Sequence, residues 1–413
     1  MNQENKQQLT LLNTISDAVE YIKIKPEAEQ HLYQRLKEAF LAIGLPTRNR
    51  MIELLDTLPT NRSQLDEFAK LFDKWLDLNI IALSNRIRTS DSYKKGLYGA
   101  DRKFNELISL INGSHAQTLI THAMDCLQKI RDENPPLYEF LTVGYRGWYF
   151  ENNWLDGIGG KNNSLINNRI TTLKNNISKF EWFYDHLEDN LSKRSLNALI
   201  NNWLTFSMNE ALDVSLYASH NVVANTDIFP LYENEVFVDC GAYVGDTVAD
   251  FVNEFNRGYR NIYTYEISAP TVDIMKKHLQ NLRNVIYNVK GVADQKGELS
   301  LAGVDGPFLG NRLVEGKGIK KVPIVKLDDD IQEPITFLKI DVEGLDKQAI
   351  LGAKEQIAQH HPKMHIDTYH KLADVVDVPL LVHSIDPTYR FYLRLTNSTE
   401  NKMMFAISCI YPI

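Results

Sequence analysis

Cysteine is scarce in this sequence: Cys126, Cys240 and Cys409 are the only three in 413 residues. The number is odd, the separations are wide and no pair has metal-ligand spacing, which excludes a disulfide framework and suits a reducing compartment. Long apolar runs are missing too, since none reaches the ~18 residues that a membrane-spanning helix needs. The opening Met1-Asn2-Gln3-Glu4-Asn5-Lys6 has neither the basic nor the apolar region of a secretory leader, so a cytoplasmic chain is expected. Sequons such as Asn61-Arg62-Ser63 then carry no sugar. Positive charge is not in excess, because 45 Lys and Arg against 53 Asp and Glu leave a net charge of -8. Without clustered cations to neutralise phosphates, nucleic acid is not an expected partner. Repeats and low-complexity tracts are also absent, and an ordinary composition, 44% hydrophobic and 24% charged, excludes disordered and fibrous classes while selecting no function.

What is present falls into two parts. Up to about residue 133 the pattern is helical: Leu32, Leu36 and Phe40 share a face ahead of Gly44 and Pro46. Ser63 is placed to cap a helix with Leu65, Phe68, Phe72, Trp75 and Leu76 on one side, and Phe104, Leu107, Ile108 and Ile111 repeat the pattern before Asn112-Gly113. Such stripes read as core, with a partner-binding face as the alternative. Between residues 135 and 163, Tyr145, Trp148, Tyr149, Phe150 and Trp154 crowd beside Gly144, Gly147, Gly157, Gly159 and Gly160. Rings on glycine-rich loops can stack on sugars or bases, although packing at a domain junction is the plainer reading. The run Gly157-Ile158-Gly159-Gly160-Lys161 lacks the Walker spacing and the following Ser or Thr. An Asn-rich helical stretch with Ile170, Leu173, Ile177, Phe180 and Phe183 follows. The expected division is a mostly α-helical accessory and acceptor-recognition region over residues 1–215, and a second domain over 216–413.

From residue 235 strands alternate with helices. Strands are expected at 235–240, 261–266, 284–289, 335–341, 362–369, 390–396 and 403–411, and helices after Gly245, over 268–282 with Pro270 in the first turn, and over 345–359. This alternation predicts an α/β, Rossmann-like domain: a mostly parallel sheet covered on both faces, with ligands beyond the carboxyl ends of its strands. Residues 298–301 and 322–327 suit a hairpin flanking a glycine-rich segment, 303–318, that reads as a lid.

The second domain is organised around residues 235–266. An apolar run, Val236-Phe237-Val238, meets Gly241 and Gly245, and the next strand ends on Glu266. Two glycines after a strand let the chain turn sharply and a ligand come close, and the following helix presents free N–H groups. NAD and S-adenosyl-L-methionine sites share this much. The spacing Gly241-x-x-x-Gly245 is not G-x-G-x-x-G, and Tyr243 stands where the second glycine of a dinucleotide site would be, crowding a pyrophosphate. Asp239 adds negative charge, which suits an ammonium or sulfonium and repels phosphate. Glu266 is placed for both ribose hydroxyls and Asp294 for the adenine amine. The cofactor-binding set is therefore Asp239, Gly241, Ala242, Tyr243, Gly245, Asp246, Glu266, Ile267, Val292, Ala293 and Asp294. Taken singly, each acid also reads as a solvated strand-end or helix-capping carboxylate.

Several stretches carry a family likeness: Val236-Phe237-Val238-Asp239-Cys240-Gly241-Ala242, Glu266, Phe337-Leu338-Lys339-Ile340-Asp341-Val342-Glu343-Gly344, Tyr369-His370-Lys371, Pro379-Leu380-Leu381 and Tyr389-Arg390-Phe391-Tyr392-Leu393-Arg394. Through them the chain from about residue 184 to its end resembles the FkbM-type S-adenosylmethionine-dependent methyltransferases. The resemblance implies a seven-stranded class I methyltransferase sheet with a terminal antiparallel strand, S-adenosyl-L-methionine as cofactor, and O-methylation of a hydroxyl, often on a sugar or polyketide. It does not extend to the first 180 or so residues.

For methyl transfer the protein must mainly align the acceptor oxygen, and positioning alone can supply roughly 7 to 11 kcal/mol. Asp341 closes the strand beside the first and is the candidate base or acceptor-orienting group. Glu343 is either a second catalytic acid or the cap of the next helix. His365 and Asp367 alternate onto one strand face, and His370 beyond them has a pKa range suited to a base, although a strand histidine is more often structural. The catalytic set is Asp341, Glu343 and His370. Asp341 and Asp367 alone are a thin set of metal ligands, so no metal is expected. Partners are a small-molecule or glycan acceptor, with a homodimer open as the assembly. The rivals are an NAD-dependent oxidoreductase and an S-adenosylmethionine-binding adaptor without catalysis.

Overall fold

A computed structural model describes residues 91–138, 164–215, 228–229, 234–255, 258–308, 310–397 and 404–411. The stripes expected at Leu32, Leu36 and Phe40 and at Leu65 to Leu76, and the aromatic and glycine cluster over 144–160, lie outside these residues. The chain divides into two compact units, residues 1–99 and 100–413, and the sheet and its helices belong to the second.

Among the described residues, six helices precede the sheet: α1 (Asp91–Gly113), α2 (Ala116–Glu133), α3 (Ser164–Asn175), α4 (Ile177–His186), α5 (Asn190–Thr205) and α6 (Asn209–Ser215). Phe104, Leu107, Ile108 and Ile111 are buried on one face of α1, as their spacing predicts, and Ile170, Leu173, Phe180 and Phe183 are buried in α3 and α4. Asp189 caps α5 by accepting the Ser192 N–H.

The strands are β1 (Glu235–Cys240), β2 (Tyr259–Glu266), β3 (Val285–Val289), β4 (Gly291–Val292), β5 (Gly297–Ala302), β6 (Arg312–Val314), β7 (Lys321–Val325), β8 (Phe337–Ile340), β9 (Lys363–Asp367), β10 (Arg390–Asn397) and β11 (Met404–Tyr411). The main sheet runs β10-β11-β9-β8-β1-β2-β3. Its five strands from β9 to β3 are parallel, and β11 joins antiparallel between β9 and β10. Helices α7 (Asp246–Phe255) and α8 (Ala269–His278) follow β1 and β2. Further on come the short α9 (Leu327–Asp330), then α10 (Asp346–Gly352) and α11 (Lys354–His360), which together fill the single helix expected over 345–359 with a break at Ala353, and α12 (Asp374–Ile385). Residues 291–325 form a separate sheet, β4-β7-β5-β6, in which the expected hairpin is the antiparallel pair β5 and β7.

Alternation along the strands separates two cores. Val238, Cys240, Leu338, Ile340, Met364 and Ile366 face the side packed with α5 and α12, whereas Phe237, Phe337, Phe251 and Met275 form the other core with α7 and α8. The described helices before the sheet share the first core with it. Between α5 and β10 lies a fully buried ion pair, Arg394 Nη2 donating to Asp189 Oδ2 at 2.8 Å and Nη1 to Ser192 Oγ at 2.8 Å.

Candidate active site

The carboxyl ends of β1, β2 and β8 frame a cleft enclosing about 610 Å³ of free space including its mouth. Gly241, Tyr243, Glu266, Ile267 and Val292 line it from the cofactor-binding set, and Asp341 and Glu343 line it from the catalytic set. Lys290, Phe308, Asn311, Leu313, Val342 and Leu345 line it too and were not anticipated. Five of these belong to β6 and its approach or to the turn after β8, and nothing in linear spacing brings them to the end of β1.

The first wall is the turn after β1. Gly241 and Tyr243 both have positive φ, 83° and 43°, so Tyr243 adopts a glycine-like conformation despite its side chain. A Cβ on Gly241 would meet the Asp341 carbonyl oxygen at 1.8 Å, which is why glycine is required. Glu266 locks this turn from β2: its Oε2 accepts the Tyr243 N–H at 3.1 Å and its Oε1 the Ser268 N–H at 2.9 Å. Burial raises the Glu266 pKa, and the backbone N–H groups of Ser268, Ile267 and Tyr243 oppose it.

Other members of the expected cofactor set lie elsewhere. Ala242 is in the core below the turn, and a Cβ on Gly245 would strike Met275 and Leu279 at 2.8 Å, so that glycine serves the packing of α8. Asp246 opens α7 and does not line the cleft. Ala293 is buried in the core of the small sheet, while Asp294 is exposed and outside the lining residues. Asp239 is fully buried, with Lys339 Nζ 3.1 Å from its Oδ1, so its charge is matched within the sheet instead of being offered to a ligand. Register explains the pairing, since Lys339 lies beside Asp239 on one side and His365 on the other. Burial pushes the Asp239 carboxyl up and Lys339 opposes it. The same ammonium donates to the Gly241 carbonyl at 2.9 Å and lies 3.7 Å from Asp341 Oδ2.

The second wall gathers carboxylates round His370. Its Nε2 is 3.2 Å from Asp341 Oδ1 and 3.4 Å from Glu343 Oε2, and its Nδ1 is 3.0 Å from Asp346 Oδ2. Tyr369 donates its hydroxyl to Asp341 Oδ1 at 3.4 Å. Asp346 is anchored by the N–H groups of Val342 and Gly344, at 3.1 and 3.2 Å. Asp346 therefore holds the turn before α10, and Glu343, which has a positive φ of 55°, turns toward His370 instead of capping that helix.

Charge decides the protonation states. Burial drives the His370 imidazole toward neutrality, but Asp346, Asp341 and Glu343 outweigh it and hold its pKa well above the ordinary histidine value. An imidazolium cannot take a proton, so the geometry does not favour His370 as the base that its type suggested. Burial also raises Asp341, but Lys339 and His370 reverse this and hold it below the usual carboxylate range. Glu343 is raised by burial to about 7, with Asp341 and Asp346 pushing the same way against His370. Asp367 is pushed well up by burial and by Asp341. His365 is pushed down by burial and Lys339 to about 3, a neutral, structural histidine beside Asp367.

Residues 239–384 match the family model of the methyltransferase FkbM domain. No curated protein matches the sequence. Among solved structures, the chain is similar to an FkbM methyltransferase from Methylobacillus flagellatus KT at 20% identity and a TM-score of 0.48, over 59% of this chain and 62% of that one. It is also similar to an rRNA methylase from Streptococcus thermophilus, at 15% identity and a TM-score of 0.31 over 48% of this chain and 96% of that one. Fibrillarin from Aeropyrum pernix, solved with natively bound S-adenosyl-L-methionine, overlaps at 11% identity and a TM-score of 0.28, over 46% of this chain and 72% of that one. The family match identifies the domain and with it an S-adenosyl-L-methionine cofactor. The cleft suits that cofactor: a carboxylate at the end of β2, a turn with no room for a Cβ and an apolar wall of Ile267, Val292, Phe308 and Leu313. Among the described residues no helix is long and apolar enough to cross a membrane.

Proposed function

We propose that this chain, carrying a methyltransferase FkbM domain over residues 239–384, is an O-methyltransferase acting on a hydroxyl of a sugar, glycan or related secondary metabolite. The observation that carries the reading is one continuous cleft with Glu266 on one wall and Asp341 on the other, joined by Gly241. Glu266 would hold the ribose hydroxyls, the 241–243 turn the amino-acid end, and Ile267, Val292, Phe308 and Leu313 the adenine. When bound, the cofactor would supply a sulfonium-activated methyl group for transfer to the acceptor oxygen, the acceptor's proton passing to water at the cleft mouth.

Asp341 is ionised and a quarter exposed at the cleft wall. It accepts a hydrogen bond from the acceptor hydroxyl and aims its lone pair. Its low proton affinity suits orientation more than full proton removal. Lys339 ties Asp341 to the Gly241 carbonyl, so the cofactor turn and the acceptor wall move as one piece. The region up to residue 215 would serve acceptor recognition, and the protein is expected to act in the cytoplasm without nucleic acid as partner.

Calorimetric titration of the full chain with S-adenosylhomocysteine and NAD, followed by transfer of labelled methyl from S-adenosylmethionine to a glycan pool of the native cell, tests the reading. S-adenosylhomocysteine binding with labelled glycan is expected. NAD binding alone would replace the reading with an oxidoreductase, and S-adenosylhomocysteine binding with no labelled product in any pool would replace it with an adaptor.

A further inference from the structure

Among the described residues, one group of three metal-ligating side chains has donor atoms that all lie within 4.8 Å of one another: Asp341, Glu343 and His370. We propose that these three form a divalent-cation site at the acceptor end of the cleft, taking a first-row transition ion of the Mn²⁺ type. The proposal rests on the methyltransferase reading and names an additional ligand for that site.

The donor set is two carboxylates and one imidazole. Carboxylate and water suit Mn²⁺ and Mg²⁺, whereas imidazole suits the transition ions, so the mixture points to a borderline ion. The spacing also fits. Metal bonds of ~2.1 Å meeting at ~90° to ~109° place donor atoms roughly 3.0 to 3.4 Å apart. The Nε2 of His370 stands 3.2 Å from Asp341 Oδ1 and 3.4 Å from Glu343 Oε2. The third separation is bounded by 4.8 Å and needs only a small closure of Glu343.

The surroundings of His370 supply an independent reason. Its Nδ1 faces Asp346 Oδ2 at 3.0 Å, and Asp346 is fully buried and fixed by two backbone N–H groups. Without an ion the Nε2–H faces the two carboxylates, Asp341 and Glu343; a divalent cation displaces that proton, while Asp346 keeps the Nδ1–H and holds the ring in place, the arrangement that commonly supports a metal-bound histidine. Lys339 does not take the ion's place: its Nζ is 3.1 Å from Asp239 and 3.7 Å from the far oxygen of Asp341. Asp341 and Glu343 both line the cleft, so remaining coordination positions open to water or to oxygens of the acceptor. An acceptor carrying two neighbouring hydroxyls would chelate such an ion.

The test is titration of MnCl₂ into the full chain loaded with S-adenosylhomocysteine, following the free Mn²⁺ signal by electron paramagnetic resonance. One bound ion per chain is expected, with affinity weakened at least about tenfold in His370→Ala and Glu343→Gln, and by ~10- to 100-fold in Asp346→Asn. Far-ultraviolet circular dichroism and thermal unfolding of each variant report on folding, with S-adenosylhomocysteine affinity measured calorimetrically beside them. Glu343→Gln, on a cleft-facing loop, carries the test if His370→Ala fails to fold. No Mn²⁺ binding while S-adenosylhomocysteine binds, or Mn²⁺ binding equal in parent and variants, overturns the cation site and leaves the methyltransferase reading standing. Loss of S-adenosylhomocysteine binding by the parent protein overturns the methyltransferase reading itself.

Discussion

Gly241 and Asp341 touch through their backbones: a Cβ added to Gly241 would stand 1.8 Å from the Asp341 carbonyl oxygen. The turn that receives the cofactor and the strand end that presents the acceptor carboxylate are thus in direct contact, and neither can shift without the other. Gly241 also has φ 83°, where a side chain is strained. Gly241→Ala is expected to lose at least ~1–3 kcal/mol from backbone strain alone, and to weaken S-adenosylhomocysteine binding. Urea unfolding and calorimetry check both, and a variant with parental stability and affinity would show that the contact does not matter.

Glu266 holds the same turn from the other side through Tyr243 and Ser268. Hydrogen bonds to a charged acceptor are worth about 1.5–3 kcal/mol each, so Glu266→Gln should weaken S-adenosylhomocysteine binding by roughly 10- to 100-fold. Calorimetric titration measures it, and affinity within about twofold of the parent would remove Glu266 from the cofactor site.

Asp341→Asn keeps the shape of the acceptor wall and removes its charge. Turnover with a saturating acceptor is expected to fall roughly 10- to 100-fold, the worth of an orienting hydrogen bond to a charged group, while S-adenosylhomocysteine affinity stays close to the parent value. Steady-state kinetics beside calorimetry separates the two, and unchanged turnover would assign the chemistry elsewhere.

The buried pair of Asp189 and Arg394 governs stability, not chemistry. Burial raises the Asp189 carboxyl, but the Arg394 guanidinium and Ser192 overcome it and hold it below the usual range. Because the folded carboxyl has the lower pKa, the unfolded chain takes up a proton first on acidification. The stabilisation is therefore complete above the unfolded value of ~3.9 and drains away as pH falls from there toward the folded value. Asp189→Asn strands a buried guanidinium and should cost about 3–5 kcal/mol near neutrality, with a shallower loss of melting temperature below about pH 4. Thermal unfolding across pH checks both, and identical acid profiles would refute the assignment.

Much of the sheet was legible because its central strands β1, β8 and β9 are buried on both faces and read as short apolar runs: β1 spans the expected residues, and β2, β3, β8, β9, β10 and β11 lie within two residues of theirs. Helix α12 was not legible, since Pro379 sits inside it and interrupts a helical reading. The small sheet was half legible: alternation marked β5 and β7, whereas β4 and β6 have two and three residues and leave no periodic signal.

The sequence by itself determined the strand–turn–helix at 235–255, the acid closing the next strand, and the Lys339-Ile340-Asp341-Val342-Glu343-Gly344 run, because each depends on residues adjacent in the chain. Only the tertiary structure decided which charges meet. Asp239 looked free for a sulfonium until parallel pairing set Lys339 beside it, and Asp294 looked like an adenine partner until the small sheet left it in solvent. His370, 29 positions after Asp341, becomes its neighbour because β8 and β9 pair side by side and their following turns meet above the sheet. Proton affinity and metal affinity are set by distances of a few ångströms across such turns, and linear spacing carries no record of them.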